Sequence, residues 1–158
     1  MDVPYEPASD FLKTAAVGDV PFSTSGFGAE NLRRLIAMTR DADVSNRDWA
    51  AMILATEELD TPEVREALIA AAGDEDMVVR AEAMLGLARR DPAIALPFVR
   101  EALTGDAICM AVLEAAALVA EPSLADALRP WTEASDHPFL DQMACDSLAA
   151  CISGTPPA

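Results

Sequence analysis

The chain has 158 residues, 11 basic against 27 acidic, for a net charge of −16, and Lys13 is its one lysine. A phosphate backbone is gripped through Lys and Arg, so this balance argues against a nucleic-acid role, and it would repel an anionic membrane surface as well. The length suits one domain with an ample core, and no apolar stretch approaches the ~20 residues of a membrane span.

In chain order, MDVPYEPASDFLK lacks a positive start and an apolar run, so no secretory signal is expected and a cytoplasmic home is the default. Met1–Pro7 holds two prolines and reads as a trailing end. Ser9–Ala16 can form a short helix capped by Ser9 or Asp10. Val20–Gly28 reads as a loop whose Phe22 and Phe27 would cover the open end of the first helices beyond it. Ala29–Arg40 is a helix with Leu32, Leu35, Ile36 and Thr39 on one face. Asp41–Glu58 and Thr61–Ala72 make a helix pair, and Met77–Arg90 with a second run ending near Leu103 makes the next. Pro97 would break that second run, which places its regular part from Ala95–Leu96. Asp106–Ala120 and Pro122–Ala134 come next, with Pro130 set to kink or end the latter. Pro138–Ile152 closes the series before Gly154.

These pairs are copies of one another. Aspartates recur at Asp41, Asp74, Asp106 and Asp136, and aligning on them brings out columns. One is apolar (Val44, Met77, Cys109, Phe139), and one is small (Ala50, Ala83, Ala115, Cys145). Two are deep (Ile53, Gly86, Leu118, Leu148 and Leu54, Leu87, Val119, Ala149). The last three sit at i, i+3 and i+4, one stripe of a helix. The second helices open on Pro62, Pro92 and Pro122, where proline's missing N–H costs nothing. A lone helix pair cannot bury its own stripe, so such copies stack.

The run Asp74-Glu75-Asp76-Met77-Val78-Val79-Arg80, through Ala83 and Leu87, resembles the HEAT repeat, and most of all the short bacterial HEAT-like repeats first named from phycocyanobilin lyase subunits. Asp41–Leu54 matches almost as well, with Arg47 at the Arg position. The third copy departs, with Ile108 and Val112 in place of the second Asp and the Arg. The fourth has Pro138 and Gln142 there and no second helix. The resemblance spans 29–153 and implies an all-α, armadillo-type α-α superhelix of about four helix pairs, with 1–28 as a partly irregular cap and 154–158 as a tail. It implies a structural ladder between copies for Asp43, Arg47, Asp76 and Arg80. It also implies a concave surface lined by the second helices, where Glu66, Arg100, Glu101, Arg129, Trp131 and Glu133 would face a partner.

Trp131 beside Arg129 has the composition of an interface hot spot, and the alternative is a core residue packed on the terminal helix. Trp49 reads as core. Chemistry is sparse. His137 is the sole histidine, in a turn; the carboxylate pairs lie where helix capping explains them; no glycine-rich loop follows a strand. Of Cys109, Cys145 and Cys151, the first two fall in core columns, and no C-x-x-C occurs. The expectation is therefore a monomeric, non-catalytic scaffold without cofactor or metal that binds a protein or peptide, a basic one by charge. A narrower form is an immunity or inhibitor protein against a basic toxin or enzyme. A regulatory domain serving a separate catalytic chain fits as well. The repeat's name alone suggests an accessory tetrapyrrole lyase.

Overall fold

The computed structural model describes Val3–Ala158, and over that range the chain is all-α. The helices are α1 (Asp10–Ala16), α2 (Gly26–Met38), α3 (Val44–Thr56), α4 (Pro62–Ala71), α5 (Met77–Arg90), α6 (Pro92–Leu103), α7 (Met110–Val119), α8 (Ala125–Leu128) and α9 (Pro138–Ser153). Short 3-10 turns at Pro122–Leu124 and Arg129–Thr132 flank α8. Two compact units result, Met1–Gly86 and Leu87–Ala158, the division falling inside α5.

In the first unit the helix starts are set by short polar side chains. The Asp43 carboxylate accepts from Ser45 N at 2.8 Å to open α3, and Thr61 Oγ1 accepts from Val64 N at 3.2 Å to open α4, whose first residue is Pro62. Each satisfies an N–H that the helix leaves unpaired. Their inner faces bury Leu12, Leu35, Leu54, Val64, Leu68 and Val79 completely. Gly86 is required by close approach: a Cβ there would lie 2.9 Å from Ala55 Cβ and 3.1 Å from Leu68 Cδ1. The small-residue positions thus let α5 settle against α3 and α4.

Two expectations for this unit are corrected. α2 begins at Gly26, whose φ of +59° turns the chain into the helix, so Phe27 stands on the helix, 85% exposed, rather than in a covering loop. Phe22 does pack, edge-on to Phe11 at 6.5 Å, with the Arg34 guanidinium 4.3 Å over the Phe11 ring. Nor does the leading segment trail, within the part described: Pro7 is buried, and Ala8 N and Ser9 N donate to Ser45 Oγ and Asn46 Oδ1 on α3. Met1 and Asp2 lie outside the described residues.

In the second unit, α6 runs unbroken from Pro92 through Pro97, opened by Asp91, whose side chain accepts from Ala93 N. The missing Pro97 N–H would have met the carbonyl of Ala93, one turn back, and both residues are exposed, so water can serve that carbonyl. α7 begins at Met110, not near Asp106. The element after it does not form one helix: 3-10 turns bracket the four residues of α8, and the α-helix ends at Leu128, just before Pro130.

The column register changes too. α3, α5 and α7 begin at Val44, Met77 and Met110, 33 residues apart each time, so the third copy stands one residue later than Asp106 suggests. Cys109 and Leu113 occupy the places of Asp76 and Arg80, where the sequence alignment put Ile108 and Val112. In the fourth copy Ala144, Ser147 and Cys151 turn inward while Cys145 and Ala149 are exposed, and in the third Cys109 is half-buried. Ser147 Oγ donates to the Leu113 carbonyl at 2.7 Å, tying α9 to α7.

Candidate functional site

Three groups of polar residues stand out, and the first holds the turns that lead into α3 and α5. Arg47 forms a fork on Asp74, with Nε to Oδ2 at 3.0 Å and Nη2 to Oδ1 at 3.3 Å, while its Nη1 donates to the carbonyls of Asp41 and Ala42. Arg80 repeats the inner half, Nη1 donating to the carbonyls of Asp74 and Glu75 at 2.8 and 2.9 Å. Asp43 and Asp76 cap α3 and α5, Asp76 Oδ1 accepting from Val78 N and Val79 N. The acidic partner of the rung is therefore Asp74, the first aspartate of its copy. Arg47 and Asp74 are about nine-tenths buried, which puts the pair among structural elements rather than docking groups. Twenty-seven residues past Arg80, the same step, stands Ala107.

The second group is the surface expected from the second helices. Glu66 is exposed on α4 in the first unit. The other five lie in the second unit. Arg100 and Glu101 are exposed on α6, and Arg100 Nη2 donates to Ser123 Oγ at 2.8 Å. Arg129 is exposed and meets Asp126 at 3.4 Å, a pair too solvated to fix either partner. Glu133 is exposed. Trp131 is half-buried, its Nε1–H donating to the Leu103 carbonyl at 3.0 Å, so the indole closes the C-terminal end of α6.

The third group has no counterpart in the sequence reading. Tyr5 lies over Trp49, ring centroids 6.2 Å apart and planes 24° from parallel, and its hydroxyl donates to Asp48 Oδ2 at 2.8 Å. Asp48 is 9% exposed. The Trp49 indole N–H is buried without a partner, and the residue as a whole is half-buried beneath Tyr5 rather than core. Partial burial, the bond to Asp48, and the charges of Asp48, Asp76 and Asp43 push the Tyr5 phenol up to about 12. Burial also pushes the Asp48 carboxyl up. The available signal is an aromatic residue flanked by stiff Pro4 and Pro7; its partners lie some forty residues on.

Helix pairs repeated at a fixed step, with a capping aspartate and a bridging arginine at matching places, define an α-helical repeat protein. Residues 32–109 match the family model described as HEAT repeats, and that stretch is of the HEAT-repeat type. Among solved structures it is similar to YibA of Escherichia coli, with a TM-score of 0.60 and 20% identity, over 88% of this chain and 54% of that one. That likeness is one of fold, and the chain spans about half the length of this relative. No curated protein matches it.

Proposed function

We propose that the chain is a non-catalytic interaction scaffold, a HEAT-repeat protein whose acidic surface docks a basic protein or peptide. HEAT repeats commonly serve as protein-interaction scaffolds. The observation that carries the basic partner is the charge of −16, with carboxylates such as Glu66, Glu101 and Glu133 left exposed on helix pairs. Such a field accelerates encounter with a positive surface and rejects anionic ones. The docking residues of this reading are Glu66 in the first unit and Arg100, Glu101, Arg129, Trp131 and Glu133 in the second. Asp43, Arg47, Asp76 and Arg80 serve in this reading to hold the repeat turns of the first unit. An inhibitor of a basic enzyme or toxin is the narrower form that the same charge supports. The chain acts in this reading as a cytoplasmic monomer of the short bacterial repeat type, with 29–153 as the repeat domain and 1–28 as its cap.

The test is affinity capture from the native host's lysate with the purified chain as bait, at low and at physiological salt. A single basic protein held at low salt and weakened by added salt is the expected result. Recovery of no protein, or of a coloured small molecule in its place, overturns the reading.

A further inference from the structure

We propose that the recess formed on α3 by Asp48 and Trp49 receives an arginine side chain of a basic partner, with Tyr5 as its intramolecular stand-in. The proposal rests on the reading of the chain as a scaffold for a basic partner and names where one side chain of that partner seats.

The present occupant shows what the recess selects. A flat ring stacks on Trp49 and places a hydrogen-bond donor, at its rim, on Asp48. A guanidinium is flat, stacks on aromatic faces, and carries charged N–H donors at its rim. It can make both contacts and add the charge that the phenol lacks. The recess lacks that charge now. Asp48 is nine-tenths buried, its partner is a neutral hydroxyl, and among the described residues it forms no ion pair. A buried carboxylate is costly unless a cation or several donors meet it, and a charge-assisted bond is roughly twice as strong as a neutral one. Asp43 and Asp76 deepen the negative field that the Tyr5 hydroxyl feels. A lysine ammonium, a compact point charge with no plane, would reach the carboxylate without the stack.

The cover is light. Tyr5 is 61% exposed and sits in an extended segment. The backbone ties of that segment lie behind it, at Ala8 and Ser9, so the ring can leave without undoing them. An incoming arginine competes with a tethered phenol, and the tether sets the affinity it must exceed.

Capped tri-arginine peptide is the probe, titrated calorimetrically into the full chain, its Tyr5→Ala variant, and the Tyr5→Ala/Asp48→Asn double variant. The two indole N–H signals in proton–nitrogen spectra report where it binds. Tyr5→Ala is expected to bind about tenfold more tightly than the parent, the equivalent of one lost competing contact. The Trp49 signal should move further in Tyr5→Ala than in the parent, and Asp48→Asn should remove the gain. Tyr5→Phe, which keeps the stack and drops the donor, should fall between parent and Tyr5→Ala. Tri-lysine should gain less from Tyr5→Ala. Equal binding by every variant overturns the site while leaving a general acidic docking surface intact. Binding by none also overturns the site, and capture from lysate then decides the broader reading by itself.

Discussion

The turn ahead of α5 and the turn ahead of α7 stand 33 residues apart and are held by opposite means. Before α5, Asp76 caps the helix, Arg80 gathers the turn's carbonyls, and Arg47 reaches Asp74 with a two-pronged bond. Before α7 the same places hold Ala107, Cys109 and Leu113, and the Cys109 side chain caps nothing. α7 is fixed by what it buries: Ala111, Val112, Leu113, Ala115, Ala116 and Ala117 are all turned inward. One repeat plan is thus secured by directional polar bonds in one copy and by apolar burial in the other. The arginine site has become, in Leu113, a fully buried side chain.

The sharpest way to break the comparison is Leu113→Ala. Emptying a fully buried leucine site costs about 3 kcal/mol, read as a lower urea midpoint; a loss below about 1 kcal/mol would show that burial is not what holds α7. Arg47→Ala comes next, at about 2 kcal/mol, because it strands a buried carboxylate and two carbonyls together. Arg80→Ala, which strands two carbonyls, should melt at a higher temperature than Arg47→Ala. Exchange of the means is the third test: Cys109→Asp gives α7 the cap that Asp43 and Asp76 give their helices. Cys109 already has the extended backbone of a capping residue, so a gain of about 1 kcal/mol is expected, and a lower melting temperature would refute the equivalence of the sites.

The smallest effect is one of pH. Bonds from Ser45 hold Asp43 below its ordinary value of 3.8, and bonds from Ser135 do the same for Asp141. Their stabilisation is present above that value and fades as pH falls through the lowered one. Asp48 has the opposite sign, since burial raises it and protonation relieves its cost. Asp48→Asn should therefore make the loss of stability on acidification larger. At the other end, Tyr5 holds its proton up to about 12, so its bond is intact below the usual tyrosine value of about 10 and lost as pH rises toward 12. A change in Trp49 fluorescence over that interval should vanish in Tyr5→Phe.

The first unit is largely legible in the sequence because its signals are directional. Asp76 stands immediately before α5 and Asp91 immediately after it, and Pro62, Pro92 and Pro122 mark where the second elements begin in both units. The first helices of the third and fourth copies, α7 and α9, start without a side-chain cap. α7 and α9 are rich in alanine and small residues, so several stripes along them look equally apolar, and alignment on Asp106 selects a register one residue early. The ladder residues read as structural from their motif, but the bridging carboxylate belongs to Asp74, which a column of aspartates cannot distinguish from Asp76. The proposed docking residues on α6 and beyond come from position in the repeat. The recess at Asp48 and Trp49 does not, because it is completed by Tyr5, from outside the repeated part.

The two cysteines of α9 carry a practical consequence. Cys145 is exposed, whereas Cys151 is fully buried, its Sγ 3.5 Å from the Ala116 carbonyl and its thiol pushed up by burial. A maleimide dye will attach to Cys145 at once and to Cys151 only when the surrounding helices part. One helix therefore offers both a labelling handle and a clock, and once the half-buried Cys109 is replaced by serine the delay before the second adduct times the opening of the unit that contains it.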